Sequence, residues 1–97
     1  MSPKNGSGCE GAIKQKCGET EDYWEATNAV NGTISVTNEG CCTMEMTVKV
    51  TEGKPVKKTV KRGQTKGVSS PFLGELQIKC VALEGGDCVG TWQLIYH

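Results

Sequence analysis

Histidine is almost missing from this chain: its single copy is His97, the last residue, and the only aspartates are Asp22 and Asp87, both in segments that read as turns. A nucleophile, a base and a group to orient the base therefore have little material, and the sequence is not expected to be an enzyme. Structural zinc is served no better. The cysteines stand as Cys9, Cys17, an adjacent pair Cys41-Cys42, and Cys80 with Cys88, with no C-x2-C pair and no spaced histidines. Adjacent cysteines on a strand point to opposite faces, so Cys41 and Cys42 are poorly placed to hold one ion. Neither metal nor any other cofactor is expected.

Net charge is missing too. Eleven basic and eleven acidic residues cancel, so no overall field draws the chain to nucleic acid or to an anionic membrane. Met1 to Gly11 contains no apolar stretch, so neither a signal peptide nor a membrane span is expected there. Aromatic residues are scarce at 5% of 97 residues, enough for one domain whose core is thin: a chain this size buries about two-thirds of its unfolded surface. No stretch holds a 3.6-residue apolar period, which excludes a helical fold.

What is present is alternation. Residues 1–11 read as a flexible N-terminal arm and residues 12–97 as one all-β sandwich domain. Its expected strands are Ala12 to Cys17, Tyr23 to Asn28, Thr33 to Thr37, Thr43 to Thr51, Val56 to Lys61, Thr65 to Ser70, Gly74 to Leu83 and Val89 to Tyr96. The clearest is Thr43 to Thr51, where Met44, Met46, Val48 and Val50 share one face. Methionines so spaced belong to a core, where thioethers fill irregular gaps. Asn31-Gly32 carries the signature of a hairpin turn. Glu84-Gly85-Gly86-Asp87 is expected to close a last hairpin. In that register Cys80 faces Thr91 and Leu83 faces Cys88, so Cys80 and Cys88 are not expected to bond each other.

Six cysteines in a small β-rich chain suggest disulfides, of which fifteen full connectivities are possible. Charge is also segregated. Lys54, Lys57, Lys58, Lys61, Arg62 and Lys66 form one basic stretch, and Glu19, Glu21, Asp22 and Glu25 an acidic one. The basic stretch holds no aromatic residue to stack on bases. A solvated edge competes with a complementary contact between identical subunits, for which Lys57, Lys58, Lys61, Glu21 and Asp22 are the candidates.

Several short segments, in this order, resemble the endospore appendage (Ena) family of bacterial spore pilins. They are the C-x-GAI-x-QK-x-C segment from Cys9 to Cys17, GTISVTN from Gly32 to Asn38, the long alternating strand, the R-G-Q turn at Arg62 to Gln64, and C-x-G-x-W-x-L-x-Y from Cys88 to Tyr96. The resemblance implies an eight-stranded jelly roll with a flexible N-terminal connector. It implies subunits that join by edge-strand augmentation, with connector docking locked by disulfides into fibres on the endospore surface. They would be made in the mother cell without a signal peptide, and a tip or anchor protein on the spore would be a further partner. Family connectors of the staggered fibre type carry adjacent cysteines; Cys9 stands alone here, which leans toward the ladder-like type. Cys9, on a tether that reaches about 33 Å over ten extended residues, is expected to bond another subunit, with Cys17 and Cys80 as acceptors. Cys41, Cys42 and Cys88 are further disulfide candidates. The competing function is a β-sandwich binding module for carbohydrate or another surface ligand, using an exposed Trp24 or Trp92.

Overall fold

The computed structural model describes residues 8–81 and 87–97. Among the described residues there is no helix. There are six strands: β1 (Gly8–Lys16), β2 (Thr20–Asn38), β3 (Thr43–Val50), β4 (Val56–Val60), β5 (Thr65–Val81) and β6 (Asp87–Tyr96). They pair antiparallel in one sheet of order β1-β6-β2-β5-β3-β4. β1 starts at Gly8, so its first residues come from the segment expected to be a flexible arm.

The expected eight strands are six because two expected breaks do not interrupt the chain. Asn31-Gly32 makes no hairpin turn: β2 continues through it, with Gly32 paired to Ser70 on one side and Tyr96 on the other. Glycine is needed there for close approach, since a Cβ at position 32 would lie 2.5 Å from the Ile95 carbonyl oxygen. Opposite, Ser70 and Pro71 stay within β5. The β2–β5 register shifts between Val30 and Gly32, and at such an irregularity the missing proline N–H removes no ladder bond.

Among the described residues the strands expected to form the last hairpin are not neighbours either. β5 and β6 do not pair; β6 lies between β1 and β2, and β5 between β2 and β3. The segment Glu84-Gly85-Gly86 lies outside the described residues.

Each long strand changes partner along its length. Residues 20–25 of β2 pair only with β5, whereas residues 32–37 lie between β5 and β6. Residues 65–73 of β5 pair with β2, and residues 73–81 add β3 as a neighbour. The sheet folds over so that one face is enclosed. The Gln15 amide on β1 donates to the Ile78 carbonyl on β5 (3.1 Å), and the Asn38 amide on β2 to the Val60 carbonyl on β4 (2.9 Å). Neither pair of strands is adjacent in the sheet order.

The enclosed face is the alternating apolar one. Ile13, Ile34, Val36, Met44, Met46, Val48, Leu76, Ile78 and Leu94 form one buried cluster, with the two methionines in the core as their spacing predicts. Asn38 is the fully buried polar exception. Besides Val60, it donates to the Cys42 carbonyl and accepts from the Gly40 N–H at 3.0 Å. Every hydrogen-bonding position it needs is met, which is the condition for a polar side chain to stabilise an apolar interior.

Candidate functional site

β1 is an edge strand whose two ends carry different sulfur chemistry. At its start Cys9 pairs in register with Leu94 and is exposed, with its Sγ 4.0 Å from the Tyr96 hydroxyl. That contact, and then burial, raises the Tyr96 pKa above its ordinary value. At the other end, Lys16 pairs with Asp87 and the chain passes into Cys17. A strand advances about 3.4 Å per residue, so Cys9 stands about 27 Å from Cys17 along β1.

Around Cys17 the structure brings together cysteines from four places in the sequence. Cys17 Sγ lies 3.5 Å from Cys42 Sγ, and the sulfurs of Cys17, Cys42 and Cys80 all fall within 4.8 Å of one another. Cys80 is bonded to Cys88, with their Cα atoms 6.1 Å apart. This corrects two expectations. Cys80 and Cys88 do bond each other, because the offset of a shared hairpin does not apply to strands that never pair. Cys80, fully buried and already bonded, is not placed as an acceptor for an incoming thiol.

The adjacent pair divides too, although it lies in the turn between β2 and β3 and not on a strand as expected. Cys41 is exposed, while Cys42 is buried and its thiol donates to the Asp87 carbonyl at 3.5 Å. Burial, and then the contact with Cys17, pushes the Cys42 thiol pKa up, so less thiolate is present there at neutral pH. Gln15 supports the cluster from beneath. Its amide donates to the Glu19 and Ile78 carbonyls (2.8 and 3.1 Å), and its oxygen accepts the Tyr23 hydroxyl at 2.6 Å. Sequence spacing missed this convergence because the four cysteines arrive from separate elements. The one local signal was Asn38, whose break in the alternation starts the turn that delivers Cys42.

The charged candidates fall on two different edges. Lys57 and Lys58 are exposed on β4, the last strand of the sheet; Lys58 Nζ donates to the Gly67 carbonyl at 2.9 Å. Lys61 follows β4, where its N–H donates to Gln64 Oε1 at 3.0 Å. Glu21 and Asp22 lie on the first half of β2, which has only β5 beside it among the described residues. Asp22 accepts from Gln77 Nε2 at 3.0 Å. This acidic edge is internally repulsive: Glu25 sits directly opposite Glu75, and like charges so placed destabilise a sheet. The Glu75 carboxyl pKa is raised, first by burial and then by Asp22, and a Lys49 ammonium 3.8 Å away offsets only part of the shift.

Neither of the two tryptophans that the binding-module alternative would use is fully exposed. Trp92 is 8% exposed within the core, and Trp24 is half-buried against it.

The chain was compared with known proteins. The family model for endospore appendages matches residues 9–97. A solved structure of Bacillus endospore appendages, described as forming a family of disulfide-linked pili, is similar with a TM-score of 0.55 and 8% sequence identity, covering 99% of this chain and 96% of that one. At this identity the likeness is one of fold. The comparison with curated proteins returned no significant match.

Proposed function

The chain belongs to the endospore appendage family, and on that premise we propose that it is a pilin-like structural subunit, not an enzyme, which polymerises with copies of itself into disulfide-crosslinked fibres on the spore surface. Counting both halves of β2 and of β5 turns six strands into the eight of the jelly roll that we assign to it.

The observation that carries the reading is the pair of unlike edges on one half of the sheet. The acidic first half of β2 and the lysine-bearing β4 bound the run β2-β5-β3-β4 on opposite sides. An edge strand offers unpaired N–H and C=O groups to a second chain. Here the two edges are opposite in charge, so β4 of one subunit complements β2 of the next: Lys57, Lys58 and Lys61 meet Glu21 and Asp22. A contact between unlike surfaces builds rings or open filaments, whereas a self-complementary one stops at a dimer.

The second link runs along β1. With the strand paired, Cys9 lies about 27 Å from Cys17, far beyond the Cα separation of about 5.5 Å that a disulfide needs. A bond between them within one subunit is therefore disfavoured. Cys9 of one subunit reaching Cys17 of another joins opposite ends of neighbouring molecules, in the manner of a fibre growing along β1. The single connector cysteine favours the ladder-like arrangement, and residues 1–11 act as the connector once β1 gives up its first residues to a neighbour.

Negative-stain microscopy of the purified, oxidised full chain at neutral pH tests this. Rings or fibres that shed subunits under reduction are expected; a population of monodisperse monomers overturns it.

A further inference from the structure

We propose that the reduced chain holds one zinc ion in a four-thiolate site made by Cys17, Cys42, Cys80 and Cys88. The disulfide-bonded structure is then one of two covalent states of the same cluster.

Three of the four sulfurs already stand at spacings close to those of a zinc–thiolate site. Zinc–thiolate bonds of about 2.3 Å set adjacent sulfurs about 3.8 Å apart at the corners of a tetrahedron. Cys17 and Cys42 already stand at 3.5 Å, and both lie within 4.8 Å of Cys80. Cys88 enters as the fourth ligand through its bond to Cys80: when that bond opens, its sulfur moves from bonding distance to the tetrahedral edge, which the Cα separation of 6.1 Å accommodates. The four sulfurs come from the end of β1, the turn before β3, the end of β5 and the start of β6. These elements are held in place without the cysteines, by the Gln15 and Asn38 hydrogen bonds. A cage assembled by the fold meets the requirement that ligands be pre-positioned, and an all-sulfur set selects a thiophilic cation over magnesium or calcium.

The chemistry balances simply. Opening the Cys80–Cys88 bond to two thiols takes two electrons and two protons, supplied either by two small-molecule thiols, which become a disulfide, or by a phosphine with one water, which become the phosphine oxide. Zinc then displaces the thiol protons to solvent as the thiolates bind. Two-electron oxidation by a small-molecule disulfide restores the Cys80–Cys88 bond, reduces that disulfide to two thiols, and releases the metal. Metal binding and disulfide formation are therefore mutually exclusive at these residues. Zinc would keep Cys17 from linking subunits until the chain is oxidised.

The test uses the full chain, reduced with a phosphine and handled without oxygen. Cobalt(II) is titrated in as a spectroscopic probe and then displaced by zinc. The expected result is a single equivalent with thiolate charge-transfer and tetrahedral ligand-field bands, which zinc abolishes. Pulse alkylation followed by mass spectrometry then reads each cysteine separately. With zinc bound, Cys17, Cys42, Cys80 and Cys88 should be protected at least about tenfold, while exposed Cys9 and Cys41 react as fast as without it. Cys17→Ser, at a half-buried position on the margin of the core, should weaken binding by at least about tenfold. Absence of the cobalt bands, or protection that does not distinguish these four cysteines from Cys9 and Cys41, overturns the proposal. Because the assay is made on reduced, unassembled protein, either result is independent of whether the chain forms fibres.

Discussion

The two ends of β1 give the same residue type opposite circumstances. Cys9 is exposed at the start of an edge strand, with one tyrosine hydroxyl near it. Cys17, one strand length away, borders buried Cys42 and the Cys80–Cys88 bond, over a hydrogen-bonded floor supplied by Gln15. One end is exposed on an edge strand, and the other is a half-buried thiol at the rim of the interior. What separates them is position in the sheet: β1 pairs with β6 alone, but its far end meets β5 and the turn before β3 where the sheet folds over.

The severest way to break this contrast is to remove Cys9. In Cys9→Ser the subunit keeps its core, yet the covalent ladder on non-reducing electrophoresis should vanish, and fibres should fall apart in hot detergent where wild type survives. An unchanged ladder would mean that the links do not run through Cys9, and the division of roles between the two ends would be wrong. Joined subunits gain from effective concentration, of millimolar order for a short tether, so the loss should be all-or-none.

The next perturbation attacks the cluster end. Asn38→Ala strands the Cys42 and Val60 carbonyls inside the fold and opens a small cavity, a loss of about 2–3 kcal/mol in urea unfolding of the monomer. It should also release the turn that seats Cys42, so the Cys42 thiol becomes accessible to alkylation while Cys9 reactivity does not change. If both thiols respond alike, the ends are not independent.

These two experiments depend on features of different visibility in the sequence. The strand that carries Met44 and Met46, the β4 edge and the last strand were all legible, because period-2 alternation reports a half-buried sheet directly. The run-through at Gly32 was not. Asn-Gly has a strong local preference for a turn, and only pairing on both sides, from Ser70 and Tyr96, overrides it. The cysteine cluster was illegible for a related reason. Spacing rules assume ligands on one local motif, whereas Cys17, Cys42, Cys80 and Cys88 meet only after the sheet folds over. The Cys80–Cys88 bond was missed because hairpin register was applied to two strands that turn out not to be neighbours. The opposite charges of β4 and β2 could be listed from the sequence, but their placement on opposite edges of one run of strands required the sheet order.

If the ends of β1 link subunits through sulfur, the sides of the sheet do so through charge, and the two should respond differently to salt. Lys57→Glu with Lys58→Glu should abolish lateral assembly at low salt, and Glu21→Lys with Asp22→Lys on the same chain should restore it. Wild-type lateral contacts should weaken between about 0.05 and 0.5 M salt as screening shortens the reach of exposed charges, with the Cys9 links unaffected. Failure of the swapped chain to assemble would count against complementary edges.

The smallest effect distinguishes the lone subunit from the assembled one. In the lone subunit Glu75 is held away from water and crowded by Asp22 and Glu25, with the Lys49 charge offsetting only part; burial first, and then Asp22, raise its pKa in the fold above the unfolded value. A carboxyl raised on folding binds its proton more tightly in the native state. Its contribution to stability is fully present below the unfolded pKa of about 4.3 and is lost as pH rises through the folded value. At neutral pH the ionised group therefore costs stability. Glu75→Gln should stabilise the monomer at pH 7 by about 0.5 kcal/mol, the scale of a like-charge cross-strand pair, and should give no gain at pH 4. Loss of the Lys49 contact works against this, but a half-exposed pair at 3.8 Å contributes little. In a fibre the sign should reverse, because the neighbouring β4 brings its lysines to this edge and Glu75 adds to the field that holds them. A variant that is more stable as a monomer yet assembles less well is the expected outcome, measured by urea unfolding at the two pH values and by the critical concentration for fibre formation. Equal gains at pH 4 and pH 7 would trace the effect to packing and remove the acidic edge from the assembly.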